Sequence, residues 1–355
     1  MSEAQNMITE TATRIFADLA DAQTINNSKE SAWREPLWRA LAQAGLTLAW
    51  VPQAQGGAGA DLADGFAVIR VAGRFAAPVP VVETLLAGWL LARAQIASPD
   101  GAMTVAPMRP DDRVMLDSGG TLSGRARGIA FARDAGHLAV CAHDQAGASI
   151  AIVESAACRI AAGGSLAGDP LDVVTFDRAT PLRVARAPAD LDQTSFMLMG
   201  AAVRALGTAG ALETVLELTL RHANERVAFE RPIAKFQAVQ HSLARLAGEV
   251  AAAMAAAGSA ADAIARAESF NDDAIFLEVA AAKIRSAEAA AEGSAIAHQI
   301  HGAIGFTREH ILHRFTLRML GWRDDFGNES HWAAALGSRV AARGGGELWP
   351  LLASR

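Results

Sequence analysis

The sequence predicts a mostly α-helical protein with a small β domain set in its middle. Three observations carry that reading. Apolar residues recur three or four apart from Ile8 to about Ser98. Short β-like runs bounded by Gly, Asp and Pro fill about Thr104 to Val184. Long alanine-rich segments with a helical period then run from about Leu191 to the end. The 355 residues, 51% of them hydrophobic, can bury a large core. At roughly 100 to 200 residues per domain they divide into two or three domains. The expected boundaries are 1–103 for a helical domain, 104–188 for the β domain and 189–355 for a helical bundle.

In the first domain TATRIFADLA, SAWREPLWRALAQAG and GFAVIRVAGRF each place apolar residues on one helical face. Breaks fall at Gly45, Gly56-Gly57 and the Pro78/Pro80 segment. The string LWRALAQAGLTLAWVPQAQGGAGAD reads as a helix ending at Gly45, an apolar stretch to Val51-Pro52, and a turn at Gly56, Gly57 and Gly59. Strands are predicted at RVMLD, HLAVCAH, ASIAIVES and LDVVTFD, which combine β-branched or apolar residues with flanking turn residues. The last domain holds three long helical segments, FMLMGAAVRALGTAGALETVLELTLRHANER, AVQHSLARLAGEVAAAMAAAGSAADAIARA and DDAIFLEVAAAKIRSAEAAAEGSAIAHQI. Helices this long with short connections pack as a bundle.

Composition narrows the function. A formal net charge of −6 with no long run of Lys and Arg argues against a nucleic-acid surface, which needs a concentrated basic patch. The segment MSEAQNMITETATRIF lacks the basic and apolar regions of a secretory signal, and no run reaches the roughly 18 unbroken apolar residues of a membrane span. A soluble, cytoplasmic protein is expected. Cys141 and Cys158 form neither a disulfide framework nor a zinc site, consistent with a reduced compartment. His310 and His313 share a helical spacing without a third metal ligand, so no metal is expected. There is no nucleophile elbow and no phosphate-binding loop of the NTPase type. A small-molecule ligand remains.

Two segments point to which one. In NERVAFERPIAKFQAVQHSLA, Asn224 to Ala244, a long helix runs into Arg226, Pro232 breaks it, and Phe236-Gln237 opens the next helix. In HQIHGAIGFTREHILHR, His298 to Arg314, a helix ends in a glycine bend at Gly302 and Gly305, which lets backbone N–H groups approach a ligand without Cβ obstruction. The first resembles the acyl-CoA dehydrogenase pattern Arg-x-x-Phe-Gly-x-Pro-Ile-x-x-Phe-Gln, and the second resembles that family's Gln-x-x-Gly-Gly-x-Gly-Phe.

The resemblance implies a helical N-terminal domain, a β-barrel or sandwich in the middle and a C-terminal four-helix bundle. It also implies FAD as cofactor. Arg226, Phe229 and Gln237 would hold the diphosphate and adenosine end across a subunit interface, with Gln299, Gly302 and Ala303 beside them. A guanidinium suits a diphosphate because its donors are forked and permanently charged. Two positions depart from the pattern. Glu230 stands where the family has glycine, which is unfavourable beside a diphosphate unless it points away or pairs with Arg231, and Ala303 replaces the second glycine of the bend.

The side of the site that would hold the flavin ring departs further. The family's Thr-Glu-Pro segment is absent, and its tryptophan and threonine positions fall on Gly128 and Ala130. Removing an α-proton while a β-hydride leaves needs a desolvated carboxylate of raised pKa. The usual glutamate position falls on Phe326, just before Gly327, and an alternative family location falls near Gly200. Asp325 is the nearest candidate base, its other reading with Asp324 being a solvated turn. Arg314 and Arg318, four apart on one face, could pair with an interface carboxylate or with cofactor phosphate, and a solvated helix face is the expected reading.

That asymmetry predicts a division of labour known within the family, a heterotetramer of two related chains with one flavin per pair. This chain resembles the short, degenerate subunit of the bacterial steroid-degradation type, completing a partner's FAD site for desaturation of an acyl-CoA thioester with a bulky acyl group. The alternatives are an active homo-oligomer using Asp325 and a structural subunit without flavin. Electron-transferring flavoprotein is the acceptor that the family implies.

Overall fold

The structure is a computed structural model and describes residues 3–28 and 31–353. Five helices come first: α1 (Glu3–Leu19), α2 (Ala22–Asn27), α3 (Arg34–Gln43), α4 (Leu62–Phe75) and α5 (Val81–Arg93). Ala12 and Phe16, one turn apart, form the buried stripe of α1, which Ala20 continues just past the helix end, and Phe16 stacks on Phe75 with ring centres 5.5 Å apart. Helix α5 is apolar on nearly every face because it is enclosed on nearly every face.

Eight strands follow: β1 (Met103–Ala106), β2 (Arg113–Leu116), β3 (Leu122–Ala130), β4 (His137–Asp144), β5 (Gly147–Glu154), β6 (Arg159–Ala161), β7 (Leu171–Ala179) and β8 (Arg183–Arg186). They form one sheet in the order β6-β7-β3-β2-β4-β5-β8, with β1 parallel to β4. Residues Leu138 to Ala142 of β4 are all buried, so this strand reads as a continuous apolar run. The four strands expected from the sequence are β2, β4, β5 and β7. Strand β3 was hidden by its composition, since LSGRARGIA carries two glycines and two arginines and breaks register between Ala126 and Ile129. Strands β1, β6 and β8, of three or four residues, lie outside the expected set.

The chain then returns to helix: α6 (Gln193–Glu225), α7 (Gln237–Arg266), α8 (Asp273–His301), α9 (Leu312–Trp322), α10 (Glu329–Arg343) and α11 (Leu348–Ala353). Between α6 and α7 lies a hairpin of β9 (Val227–Ala228) and β10 (Arg231–Pro232). A capping box of Asp192 and Ser195 starts α6. Helix α6 is the one described helix long and apolar enough to cross a membrane, and that apolar window is entirely buried within the protein. It is the central strut. Helix α4 crosses it at very short range: a Cβ at Gly73 would lie 2.1 Å from the Gly207 carbonyl oxygen, and one at Gly210 would lie 2.1 Å from that of Arg70. The close crossing lets Arg70 and Arg74 of α4 both reach Glu213 of α6, at 2.7 and 3.0 Å.

Candidate functional site

Helix α6 ends at Arg226, whose backbone N–H donates to the His222 carbonyl at 2.8 Å. The Arg226 carbonyl then accepts from the Ile233 N–H at 2.8 Å, which ties the far side of the β9–β10 hairpin to the helix end. Phe229 and Glu230 form the hairpin tip, both in the left-handed region (φ 50° and 65°). The tip projects outward, and Phe229 is 89% exposed. Arg231 lies over the Phe236 ring, 4.2 Å from its centre, and no ion pair joins it to Glu230 among the described residues. Gln237, the first residue of α7, is exposed beside this hairpin.

Helix α8 ends at Gly302, with φ 64° and ψ −144°, a conformation that requires glycine. A Cβ there would meet nothing within 4 Å. Gln299 and Ala303 are exposed on either side, and Phe306 is 73% exposed. Gly305 is enclosed, since a Cβ would come 2.9 Å from the His301 Cβ.

These two segments are brought together by three histidines. His222, one turn before Arg226, stacks on His301, next to Gly302, with ring centres 4.4 Å apart. His310 closes the group edge-on, 4.7 Å from His301. The His301 Nδ1–H donates to the Ala297 carbonyl at 2.8 Å, and its Nε2 is buried without a partner. Burial pushes the His301 pKa down to about 4, so the ring is neutral at pH 7. The group holds the ends of α6 and α8 side by side and adds no positive charge at neutral pH.

A pH dependence follows from that burial. His301 has a folded pKa near 4 against an ordinary 6.5, so the unfolded chain binds more protons between those values and stability falls as pH drops through that window. We expect His301→Gln to flatten the stability profile between pH 6.5 and 4 by up to about 3 kcal/mol, from 1.36 kcal/mol per pKa unit. Urea unfolding at matched pH values measures it, and equal slopes in the two proteins would refute it.

The ring side of the site is filled with protein. Gly128 adopts φ 66°, and the Arg109 guanidinium lies against it, its Nε 3.2 Å from where a Cβ would be. The Ala130 carbonyl accepts from Thr104 Oγ1 at 2.6 Å, and the Ala130 N–H faces the Met108 sulfur at 3.4 Å. Phe326 is 1% exposed, and its N–H donates to the Met108 carbonyl at 2.8 Å. Its ring meets Phe196 edge-on at 5.9 Å and covers Gly200 so closely that a Cβ at Gly200 would fall 2.2 Å from it. The two positions to which the sequence comparison assigns a catalytic carboxylate therefore pack on each other as an apolar pair.

Asp325 does not lie in a solvated turn, which corrects that reading; it is 5% exposed. Its carboxylate accepts from Arg204 Nε at 2.9 Å, and Arg204 Nη2 donates to Glu83 at 2.7 Å. The Lys283 Nζ, 2% exposed, donates to the carbonyls of Trp322 and Arg323, each at 2.9 Å. Burial raises the Asp325 carboxyl pKa, with Arg204 and Lys283 opposing, and burial pushes Lys283 down to about 8. Arg204 is raised against its burial by Glu83 and Asp325. Beside this cluster lie cavities of about 40 and 30 Å³, both lined by Phe131, Arg204, Arg318 and Trp322. Such volumes suit single waters. A cavity of about 500 Å³ lies elsewhere, between α1, α4, α6 and α7, and includes none of the candidate site residues.

Arg318 also departs from expectation, being 5% exposed and bound to Asp169 at 2.6 Å. Arg314 is half-buried. Through Arg318 the α9 face packs against the β6–β7 loop, which supplies Asp169. No group of three or more His, Cys, Asp or Glu side chains suited to a metal occurs among the described residues.

The exposed residues around Arg226 and Gly302 fit a large cofactor approaching from outside the chain, because their donors are unspent and Gly302 leaves open space above it. Comparison with known proteins agrees with the fold. A family model described as acyl-CoA dehydrogenase, N-terminal domain, matches residues 2–95, and one described as acyl-CoA dehydrogenase, C-terminal domain, matches 192–327. The acyl-CoA dehydrogenase IpdE2 of Mycobacterium tuberculosis is 29% identical over 90% of this chain and 92% of its own length. The ChsE4-ChsE5 complex from Mycobacterium tuberculosis contains a chain of the same fold, with a TM-score of 0.85 at 22% identity over 96% of this chain and 98% of that one. A steroid acyl-CoA dehydrogenase variant, Tcur3481-Tcur3483, superposes with a TM-score of 0.81 at 26% identity over 96% of this chain and 98% of that chain.

Proposed function

Because this chain belongs to the acyl-CoA dehydrogenase family, we propose that it is the flavin-completing half of a two-chain enzyme that desaturates an acyl-CoA thioester between its α and β carbons. The observation that carries this reading is the opposite condition of the two halves of its site. Gly200 and Phe326 are locked together with no carboxylate at either position, while Arg226, Phe229, Gln237, Gln299, Gly302 and Ala303 all face outward.

FAD, when bound, supplies the acceptor for the β-hydride. This chain's share is recognition of the cofactor's far end. Arg226 offers forked donors to the diphosphate, Gln237 and Gln299 offer amide groups, and the bend at Gly302 and Ala303 permits close backbone approach. Phe229 at the hairpin tip provides an apolar face for a planar ring or for the partner's surface. Glu230 is exposed at the same tip, so its carboxylate has room to remain in water.

The proton would be taken by a base on the related partner chain, since Asp325 in this one is committed to Arg204. The likeness to a steroid acyl-CoA dehydrogenase at 26% identity supports a bulky, alicyclic acyl group as the substrate class.

Expression of this chain alone and together with a related acyl-CoA dehydrogenase chain tests the proposal. We expect no flavin absorbance alone, one FAD per pair in the complex, and at least about a tenfold loss of FAD affinity on Arg226→Gln in this chain, the scale of one charge-assisted contact. Stoichiometric FAD and acyl-CoA oxidation by this chain by itself would sink it.

A further inference from the structure

We propose that the cavity of about 500 Å³ between α1, α4, α6 and α7 is a second binding site, which takes a neutral, mostly apolar molecule bearing a hydroxyl group. It shares no residue with the segments at Arg226 and Gly302 and does not rest on their reading.

The inference begins with unfilled space in an otherwise close-packed molecule. Protein interiors hold few voids larger than one water, whereas this cavity has the volume of a small-molecule pocket, typically about 300–1,000 Å³. Its floor is apolar and enclosed: Phe66 and Val71 of α4 are each 3% exposed, and Leu206 and Ala209 of α6 are buried as well. Met254 of α7, a flexible side chain that adjusts readily to a ligand, adds to the apolar lining. The rim lies in water, since Thr13 and Asp262 are exposed. An apolar body entering from that rim releases water from the floor, which is the driving force for occupancy.

Gly258 keeps the space open. It lies in the interior of α7, where glycine is less favourable than alanine, and a Cβ there would meet nothing within 4 Å. Gly73 and Gly210 differ, because the crossing of α4 and α6 excludes any side chain from them. At Gly258 no neighbour excludes one, so the effect of the missing side chain is to recess the α7 wall of the cavity.

The class of ligand follows from the polar groups. Gln5, Thr9 and Thr13 line the cavity at intervals of four residues, along one face of α1. Thr9 Oγ1 donates to the Gln5 carbonyl and Thr13 Oγ1 to the Thr9 carbonyl, each at 2.7 Å, so both hydroxyl protons are spent and both oxygens remain acceptors. From α4, Arg70 bonds Glu213 through Nε at 2.7 Å, which leaves its outer amino groups as donors. The charges are balanced: Arg70 and Arg74 pair with Glu213 and Glu217, and Asp262 pairs with Arg266 at 3.1 Å. A carboxylate or an ammonium would therefore enter without a counter-ion, which is unfavourable. A hydroxyl both donates to a threonine oxygen and accepts from a guanidinium.

The test uses the full chain alone and Nile red, a neutral apolar dye, read by its fluorescence as dye is added. We expect saturable binding of one dye per chain, and displacement by decanol at a concentration at least about tenfold lower than decanoate or decylamine requires. Gly258→Leu fills the space and should weaken dye binding by at least about tenfold while leaving the unfolding midpoint unchanged or raised. Thr13→Trp, at the exposed rim, should block entry to the same extent without touching the core. Thr9→Val removes a hydroxyl acceptor at nearly constant shape, so decanol should lose affinity several-fold while the dye does not. An absence of saturable binding overturns the proposal, and so does wild-type dye affinity in Gly258→Leu and Thr13→Trp. Displacement by decanoate as readily as by decanol overturns the neutral, hydroxyl-bearing class. None of these readings involves flavin, so a failure here leaves the reading of Arg226 standing.

Discussion

Arg204→Met should lower the unfolding free energy by about 3–5 kcal/mol, the cost of removing one partner from a buried ionic group. Among the described residues Arg204 alone bonds both Glu83 and Asp325, and all three lie at 5% exposure. Without it two carboxylates would stay buried with no cation bonded to them; Lys283 and Arg109 act on Asp325 through space, and the Lys283 ammonium is already spent on the Trp322 and Arg323 carbonyls. The guanidinium also sits 5.7 Å from the centre of the Trp322 ring, a contact that methionine keeps as packing but loses as charge. A companion variant separates lost charge from lost shape. Adding Glu83→Gln and Asp325→Asn to Arg204→Met removes the uncompensated charges and should recover most of the deficit. Urea unfolding curves for the three proteins measure both effects. A loss below about 1 kcal/mol in the single variant would show that water reaches the cluster and that these side chains are not buried as described.

Phe326→Ala is expected to cost about 3–5 kcal/mol, as large-to-small changes do when the site cannot collapse. The ring packs on Phe196 and Gly200, and the residue's backbone is fixed by its N–H donating to the Met108 carbonyl and by the Trp332 indole N–H donating to its carbonyl, so the space the ring leaves has rigid walls. A coupled measurement makes the claim sharper. In the wild type Gly200→Ala forces a Cβ to 2.2 Å from the Phe326 ring and should destabilise by about 1–3 kcal/mol, the usual range for overpacking. In the Phe326→Ala background the same change enters empty space and should cost nothing or stabilise, because alanine is favoured over glycine by about 1 kcal/mol inside a helix. Non-additivity of that sign is the signature of direct contact. Additive effects would mean that the two positions do not meet.

Parts of this arrangement were legible before any coordinates. The three long helices of the bundle announce themselves because an alanine-rich amphipathic pattern sustained over about thirty residues has few competing structures. Arg226 and Gly302 could be singled out because each sits at a helix end marked by a local signal, Pro232 after the first and glycine at the second. Other parts left no local mark. Asp325 looks like half of a surface Asp-Asp turn, and only the packing of α6 and α8 against that turn shows that it is enclosed. Arg318 looks like half of a solvated i, i+4 pair, yet the β6–β7 loop covers it and supplies Asp169.

By itself the sequence determined the order of a helical segment, a β segment and a helical bundle, together with the local motifs that mark the family. These are properties of residues close in the chain, set by side-chain periodicity, proline and glycine backbone preferences, and charge spacing. Only the tertiary structure decided that Gly200 meets Phe326, that Arg204 joins Glu83 to Asp325, and that a histidine stack aligns the ends of α6 and α8. The reason is physical. Whether a charge is solvated, paired or stranded depends on which distant segments exclude water from it, and that is settled when helices cross at a given distance, as α4 and α6 do at Gly73 and Gly210.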